Sequence, residues 1–570
     1  MCPVMVRHSS VNIGGKRKHI KVIGLNSLNI SKGGSQIKLK SLLKKSLGFT
    51  TDKSLKRPEQ APSEKHPLTS SLEQNLVELR EIFDSCADIA FRTFTLNCEP
   101  PIHAVAVFAY SITDEEDVSV TILKAIMQLT TSLPDNIRIT RSNAIQILSE
   151  RLLTVTSAQN TGDFLELVDN VLEGRVVIVI DGSPQALICA VGGPIERAIE
   201  EPVAEPVVRG SRDGFVEGYQ TNLSLIRRRI KSSRLKVKFF QIGEISKTMV
   251  AICYVQGIAQ DSLIEEVKTR INRIKMDAIP GSGAIEEMIA DQPFSIFPLV
   301  EYTERPDKVA GSLMEGKVAI LVDNTPMTLV VPTTFISLLQ ASEDYDNNFI
   351  YASFVRILRF VSLNIALLLP AVTVAIMSFH QEIIPDKLLG IIITTRKQLP
   401  FPIYMEVIFM ETFFEILREA GVRLPRTIGQ SVSIVGGLVI GQATVNAGLV
   451  GFIPVIVVSL TAVASFAIPN YAAGTTIRIL RFGLIILAAI LGGVGVMMGL
   501  MFILFYLCGL RSFGVPYLSP IAPLSLGDMK DTFIRVPWWA MLTRPRLTGA
   551  KEPARMDTDQ GPTKPSKGKE

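Results

Sequence analysis

Cysteine is scarce in this chain, and none of it is placed for chemistry. The six among 570 residues (Cys2, Cys86, Cys98, Cys189, Cys253 and Cys508) form no C-x-x-C pair and no zinc-ligand spacing. That argues against a metal knuckle or a disulfide scaffold and places the soluble part in a reducing compartment. The five histidines are scattered, with no H-E-x-x-H and no base set beside a nucleophile. The phosphate-loop spacing G-x-x-x-x-G-K-S/T is missing too, although Ile242 to Thr248 ends like one. No enzyme, cofactor or metal site is expected. The N-terminus has no apolar stretch of a cleavable signal peptide, so insertion falls to the first internal span and leaves the preceding domain in the cytoplasm. Acidic residues are nearly absent from residues 1–66, which carry Lys16, Arg17, Lys18, Lys38, Lys40, Lys44 and Lys45. This arm has few aromatics and no recognisable module, which disfavours nucleic acid. It reads as a solvated, disordered tail or as a contact with anionic lipid at about 1 kcal/mol per basic residue.

Charge then becomes scarce between Val361 and Leu510, where most of the excess in a 47% hydrophobic composition sits. The run Val361 to Phe379 is long enough to cross a hydrocarbon core of about 30 Å. Four spans are expected, over 359–379, 428–447, 449–468 and 483–508, with Arg356 and Arg359 snorkelling at the first end and Arg478 and Arg481 before the last. Four spans return the C-terminus to the side of the N-terminal domain. The loop after the first span contains a helical pattern, Ile403–Ala420, with Ile403, Val407, Met410, Phe414 and Leu417 on one stripe. Glu411, Glu415 and Arg418 fall opposite that stripe, whereas Glu406 projects among Met410 and Phe413, where a carboxylate is costly. Three readings of this helix stand: interfacial with a solvated acidic edge, re-entrant and pore-facing with cation-attracting glutamates, or soluble-side. The second span is interrupted by Gln430, Ser433, Gln442 and Asn446, which fit helix packing or an aqueous path. The membrane part shows no inverted repeat, which disfavours a solute carrier.

The part before Tyr351 is soluble in character and duplicated. Glu173 to Pro184 and Glu315 to Pro326 both read E-G-R/K-V-x-I-x-I/V-D-x-S/T-P, and an apolar return strand follows each. Each is expected to be a β-hairpin preceded by a helix, over Asp163 to Leu172 and Pro306 to Met314. Upstream, Ala104 to Tyr110 and Met249 to Val255 are matching strands that lead into helices. The acidic run Asp114 to Asp117 is a helix start, Asp181 and Asp323 are turn residues, and Arg227-Arg228-Arg229 is a solvated helix face.

The fold class is therefore an α/β soluble region of two related subdomains, followed by an all-α polytopic membrane domain of about four transmembrane helices plus an amphipathic or re-entrant helix. The divisions are a basic disordered arm (1–67), soluble subdomains (68–205 and 206–345), a transmembrane domain (346–515), a C-terminal membrane-proximal segment (516–547) and a disordered tail (548–570). Candidate ion-path residues are Glu406, Glu411, Glu415, Gln430, Ser433, Gln442 and Asn446. Candidate coupling residues between soluble and membrane parts are Tyr351, Arg356, Arg359 and Asn364.

Several blocks narrow the reading. Arg209–Ile230, Gln292–Pro326, Leu399–Pro425 (LPFPIYMEVIFMETFFEILREAGVRLP), Ser433–Tyr471 and Pro516–Trp539 (PYLSPIAPLSLGDMKDTFIRVPWW) resemble the A subunit of the GerA-type spore germination receptors, over roughly 70–545. The resemblance implies a multi-pass protein of the spore inner membrane that works with a transporter-like B subunit and a lipoprotein C subunit. The B subunit is then the expected binder of the germinant. The A subunit is expected to form a homo-oligomer in membrane lipid and to release cations. A non-conducting receptor scaffold, or a family paralogue acting downstream, is the alternative.

Overall fold

The duplicated motif folds twice into one design. In the computed structural model, Ile89–Leu96 (β1), Ile102–Ala109 (β2), Ala158–Thr161 (β3), Val176–Ile180 (β4) and Ala186–Cys189 (β5) form an antiparallel sheet of order β1-β2-β4-β5-β3. Leu235–Ile242 (β6), Thr248–Val255 (β7), Glu301–Thr303 (β8), Val318–Val322 (β9) and Thr328–Val331 (β10) repeat it as β6-β7-β9-β10-β8. Register repeats as well: Ala106 faces Arg92 and Ile178 in the first sheet, and Ile252 faces Lys238 and Ile320 in the second. The structure describes residues 66–424 and 441–562 except 99, 125, 128–138, 142, 152–157, 192–200, 203, 398, 547–549 and 558–559. A separate unit, Met1–Asp52, contains one described hairpin, Ser10–Ile13 paired with Lys16–His19.

Both faces of each sheet are covered, so the central strands are apolar throughout rather than alternating with polar residues. On β7, Val250, Ile252 and Tyr254 enter one core, while Ala251, Cys253 and Val255 enter the other. The helices are Leu72–Ile82 (α1) and Phe164–Leu172 (α2) in the first module, then Tyr219–Arg229 (α3), Asp261–Asn272 (α4) and Pro306–Met314 (α5) in the second. The two turn aspartates have equivalent roles. Asp181 accepts from the Leu72 N–H and Asp323 from the Tyr219 N–H, each at 3.4 Å, so each hairpin caps the first helix of its module. Asp114 likewise caps its helix, accepting from the Glu116 and Asp117 amides.

The basic run on α3 is not a solvated face. Arg227 is wholly buried and bidentate to Asp88 of the first module, with Nη2–Oδ1 at 2.8 Å and Nε–Oδ2 at 3.0 Å. Arg229 pairs with Asp213. Of the three arginines Arg227 alone is fully buried and Arg228 is exposed, so the solvated-face reading fails at Arg227, whose pairing with Asp88 ties the modules together.

The second half is helical: Phe349–Phe379 (α6), Ile403–Arg423 (α7), Phe452–Phe466 (α8) and Tyr471–Gly509 (α9). Among the described residues, α6 and α9 are long and apolar enough to cross a membrane. However, α9 reverses at Gly492, where φ is 60° and ψ is −138°. A straight helix would separate residues 484 and 499 by about 22 Å, yet a Cβ on Gly499 would lie 2.4 Å from Leu484 Cδ2. The helix is therefore a hairpin, and the expected span over 483–508 straddles its turn. A side chain at Gly492 would meet Phe379 at 2.9 Å, so both the positive φ and the close approach call for glycine there. The expected 449–468 span is α8, at 15 residues or about 22 Å. Most of the expected 428–447 span lies outside the described residues, apart from the helix Gly441–Asn446.

The two halves share a core. Phe297, Leu299, Leu338 and Leu339 from the sheet side pack with Leu363 and Leu367 of α6, Leu484 and Leu507 of α9, and Tyr517. Residues 550–555, which composition places in a solvated tail, lie against the second module. Arg544 donates to the Met314, Glu552 and Ala554 carbonyls, and Arg234 pairs with Glu552 at 3.1 Å.

Candidate functional site

Two clusters of charge sit where the sheet modules meet the helices and along α7. The first begins with Asn348, whose side chain accepts from the Ile350 N–H and starts α6. Two arginines, one helical turn apart, then turn inward. Arg356 pairs with Asp344 at 3.0 Å and with Asp531 at 2.7 Å, and Arg359 pairs with Asp344 at 2.7 Å and with Glu343 at 3.6 Å. The Tyr345 hydroxyl donates to Asp531 at 2.8 Å, and Arg535 donates to the Asn347 carbonyl at 3.0 Å. Burial first, and then the Asp531 carboxylate, push the Tyr345 phenol well above its ordinary value, so it keeps its proton. Arg356 and Arg535 both lie over the Tyr345 ring.

Snorkelling therefore does not describe Arg356 and Arg359, which are buried. An arginine pointing out of α6 would leave Asp344 and Asp531 unpaired, so the inward geometry satisfies both signs. The same helix turns expose Ile350, Tyr351, Phe354 and Ile357. Tyr351 is thus on the outer stripe, apart from the ion cluster. Asn364 is half-buried and donates to the Phe360 carbonyl at 2.7 Å within its own helix.

The second cluster lies on α7. Glu406 and Glu411 are buried, so the edge of this helix is not solvated. Instead the outer face is apolar, with Met405, Phe409 and Ile416 exposed, as are Ile490, Phe502 and Phe505 of α9. Polarity is inverted relative to a protein in water. Glu406 accepts from the Gly451 N–H at 2.8 Å and stands 3.4 Å from Arg396. Glu411 is 2.9 Å from Arg481, and Glu415 is 2.9 Å from Arg418 and 3.3 Å from Arg481. Hydrogen bonding is incomplete: Glu406 Oε1, both Glu411 oxygens, and Nε and Nη1 of Arg481 have no hydrogen-bond partner in the protein. Gln442 and Asn446 are exposed on the helix Gly441–Asn446, whereas Gln430 and Ser433 lie outside the described residues. No group of three potential metal ligands occurs among the described residues.

Sequence reading missed Asp344, Asp531, Arg396, Arg481 and Gly492 as participants. The signal for the first two was available: two arginines at the mouth of an apolar helix demand carboxylates, and SEDYD and GDMKD supply them.

Residues 77–547 match the family described as Bacillus/Clostridium GerA spore germination protein. The chain belongs to the GerA family. It is 41% identical to spore germination protein KA of Bacillus subtilis (strain 168), over 87% of this chain and 90% of that protein. It is 42% identical to the uncharacterised membrane protein YfkQ of the same organism, over 84% of this chain and 91% of that protein. A solved structure, the N-terminal domain of the A subunit of the Bacillus megaterium spore germinant receptor GerK3, is 30% identical, with a TM-score of 0.38, over 48% of this chain and 98% of that one. Spore germination protein KA and spore germination protein GerLA of Bacillus cereus, which is 34% identical over 85% of this chain and 97% of that protein, are named as germination proteins.

Proposed function

We propose that this GerA-family chain is the A subunit of a nutrient germinant receptor in the spore inner membrane, with its sheet modules on the cytoplasmic side. It assembles with copies of itself and with a transporter-like B subunit and a lipoprotein C subunit. The B subunit takes the germinant, and the assembly opens a cation-release path along α7. One observation supports the path: Glu406 and Glu411 are buried inside an apolar-coated bundle, and Glu406 Oε1 and both Glu411 oxygens make no hydrogen bond, although Arg396 and Arg481 stand 3.4 and 2.9 Å away. Such oxygens at membrane depth call for water or a cation. Gln442 and Asn446 then face a neighbouring copy. The Arg356–Asp344–Arg359 cluster passes movement from the sheet modules to α6.

The test is germinant-triggered ion release from spores carrying E406Q or E411Q in this chain. Loss of release with normal receptor assembly supports the path, and unchanged release contradicts it. A second reading, a non-conducting scaffold, is favoured by the arginine beside each glutamate. It expects E411Q to disturb assembly, because buried Arg481 then keeps only Glu415, at 3.3 Å.

A further inference from the structure

A cavity of about 530 Å³ opens where the linker Ala204–Val207 and the loop before α6 meet the ends of α7 and α8 and the start of α9. Arg305, Lys308, Arg359, Arg418 and Arg478 line it, against the two carboxylates Glu205 and Glu343. Its lip is apolar and open: Leu358, Val422, Phe466 and Tyr471 line it and are all exposed.

Three neighbouring ion clusters decide where positive charge is spare. Arg305, Lys308 and Lys317 are matched by Glu205, Glu301 and Asp307. Arg356 and Arg359, with Arg535 beside them, are matched by Glu343, Asp344 and Asp531. In the third cluster, three arginines (Arg418, Arg478 and Arg481) share two carboxylates (Glu411 and Glu415), which leaves one positive charge over. Arg478 is the worst served. Its Nε is 3.7 Å from Glu415 and its Nη2 donates only to the Thr475 hydroxyl at 2.5 Å, although the residue is 7% exposed. Arg418 and Arg478 both stand over the Tyr471 ring, at 6.0 and 5.7 Å, which holds them side by side at the cavity wall.

We infer that this cavity binds a phosphate diester, supplied by the headgroup of an anionic phospholipid. An uncompensated, nearly buried guanidinium attracts phosphate through charge-assisted hydrogen bonds, and the apolar lip gives acyl chains a surface to lie against. The inference rests on the membrane placement proposed above, and its charge count takes Glu411 and Glu415 as paired with the three arginines.

The test incubates full-length protein with vesicles of equimolar phosphatidylglycerol and phosphatidylcholine, then counts retained lipid by native mass spectrometry after detergent extraction. Wild type should retain phosphatidylglycerol in preference, and R478Q with R418Q should lose about tenfold of that retention. Because these changes alter an ion cluster, a second variant leaves every charge alone. Gly474 lines the cavity and a Cβ there meets nothing within 4 Å, so G474F should fill the space and displace the lipid while the protein stays folded. Equal retention of both lipids, or retention untouched by G474F, overturns the inference. A thermal shift produced equally by inorganic phosphate in lipid-free detergent overturns the lipid assignment in favour of a soluble phosphate. Protein recovered from cells without detergent would instead contradict the membrane placement, which keeps the two failures apart.

Discussion

Single carboxylates set the junction. Asp344 is buried between two arginines, so D344N leaves Arg356 with Asp531 alone and Arg359 with the more distant Glu343 alone. A loss of about 3–5 kcal/mol is expected, read as a lowered unfolding midpoint of the full-length protein. R359K, which keeps the charge, should cost much less. Two glutamates of the second module respond to pH with opposite sign. Burial works against the charge on Glu301, but the Lys308 and Lys317 ammonium groups more than offset it and hold its carboxyl below the ordinary value. Its contribution is therefore present above the unfolded value of about 4.3 and fades as pH falls through the lower folded value. Glu286 is pushed up to about 7, by burial first and then by Glu287. Its folded form holds the proton more tightly, so stability declines as pH rises from about 4.3 towards 7. Accordingly E286Q should raise the thermal midpoint at pH 8 and not at pH 4, whereas E301Q should lower it at pH 8 and lose that effect in acid. A common pH response from both variants would contradict these assignments.

At the scale of elements, local chemistry was legible wherever a residue's partner lay close in sequence. The duplicated hairpins followed from alternating β-branched residues and Asp-x-S/T-Pro turns, and α7 followed from its apolar stripe. Partners far along the chain were not legible. Arg227 meets Asp88 across 139 positions, and Arg356 meets Asp531 across 175. Hydropathy alone could not place the reversal at Gly492, because a hairpin of two apolar arms and one long apolar helix have the same profile. That turn is testable. G492A must adopt a positive φ and displace Phe379, so it should destabilise the paired arms of α9. Cysteines placed at residues 484 and 499 should cross-link readily in the parent protein and slowly in G492A. Failure to cross-link in the parent would show that α9 is straight.

At the largest scale, the helices share a core with Phe297, Leu299, Leu338 and Leu339 beside the second module, and buried ion pairs supply the other ties. Asp88–Arg227 holds module to module, and Asp344 with Asp531 holds the second module and the C-terminal segment to α6. The first turns of α6 cannot tilt without breaking buried ion pairs, which is the physical basis of the proposal that the boundary near Tyr351 transmits motion. The direct measurement is potassium flux through liposomes that contain the assembled receptor, comparing the parent chain with an E411Q/R481Q pair that removes both charges and leaves neither partner alone. Germinant-dependent flux is expected in the parent and its loss in the pair, with assembly intact. Equal flux in both would contradict a cation path along α7.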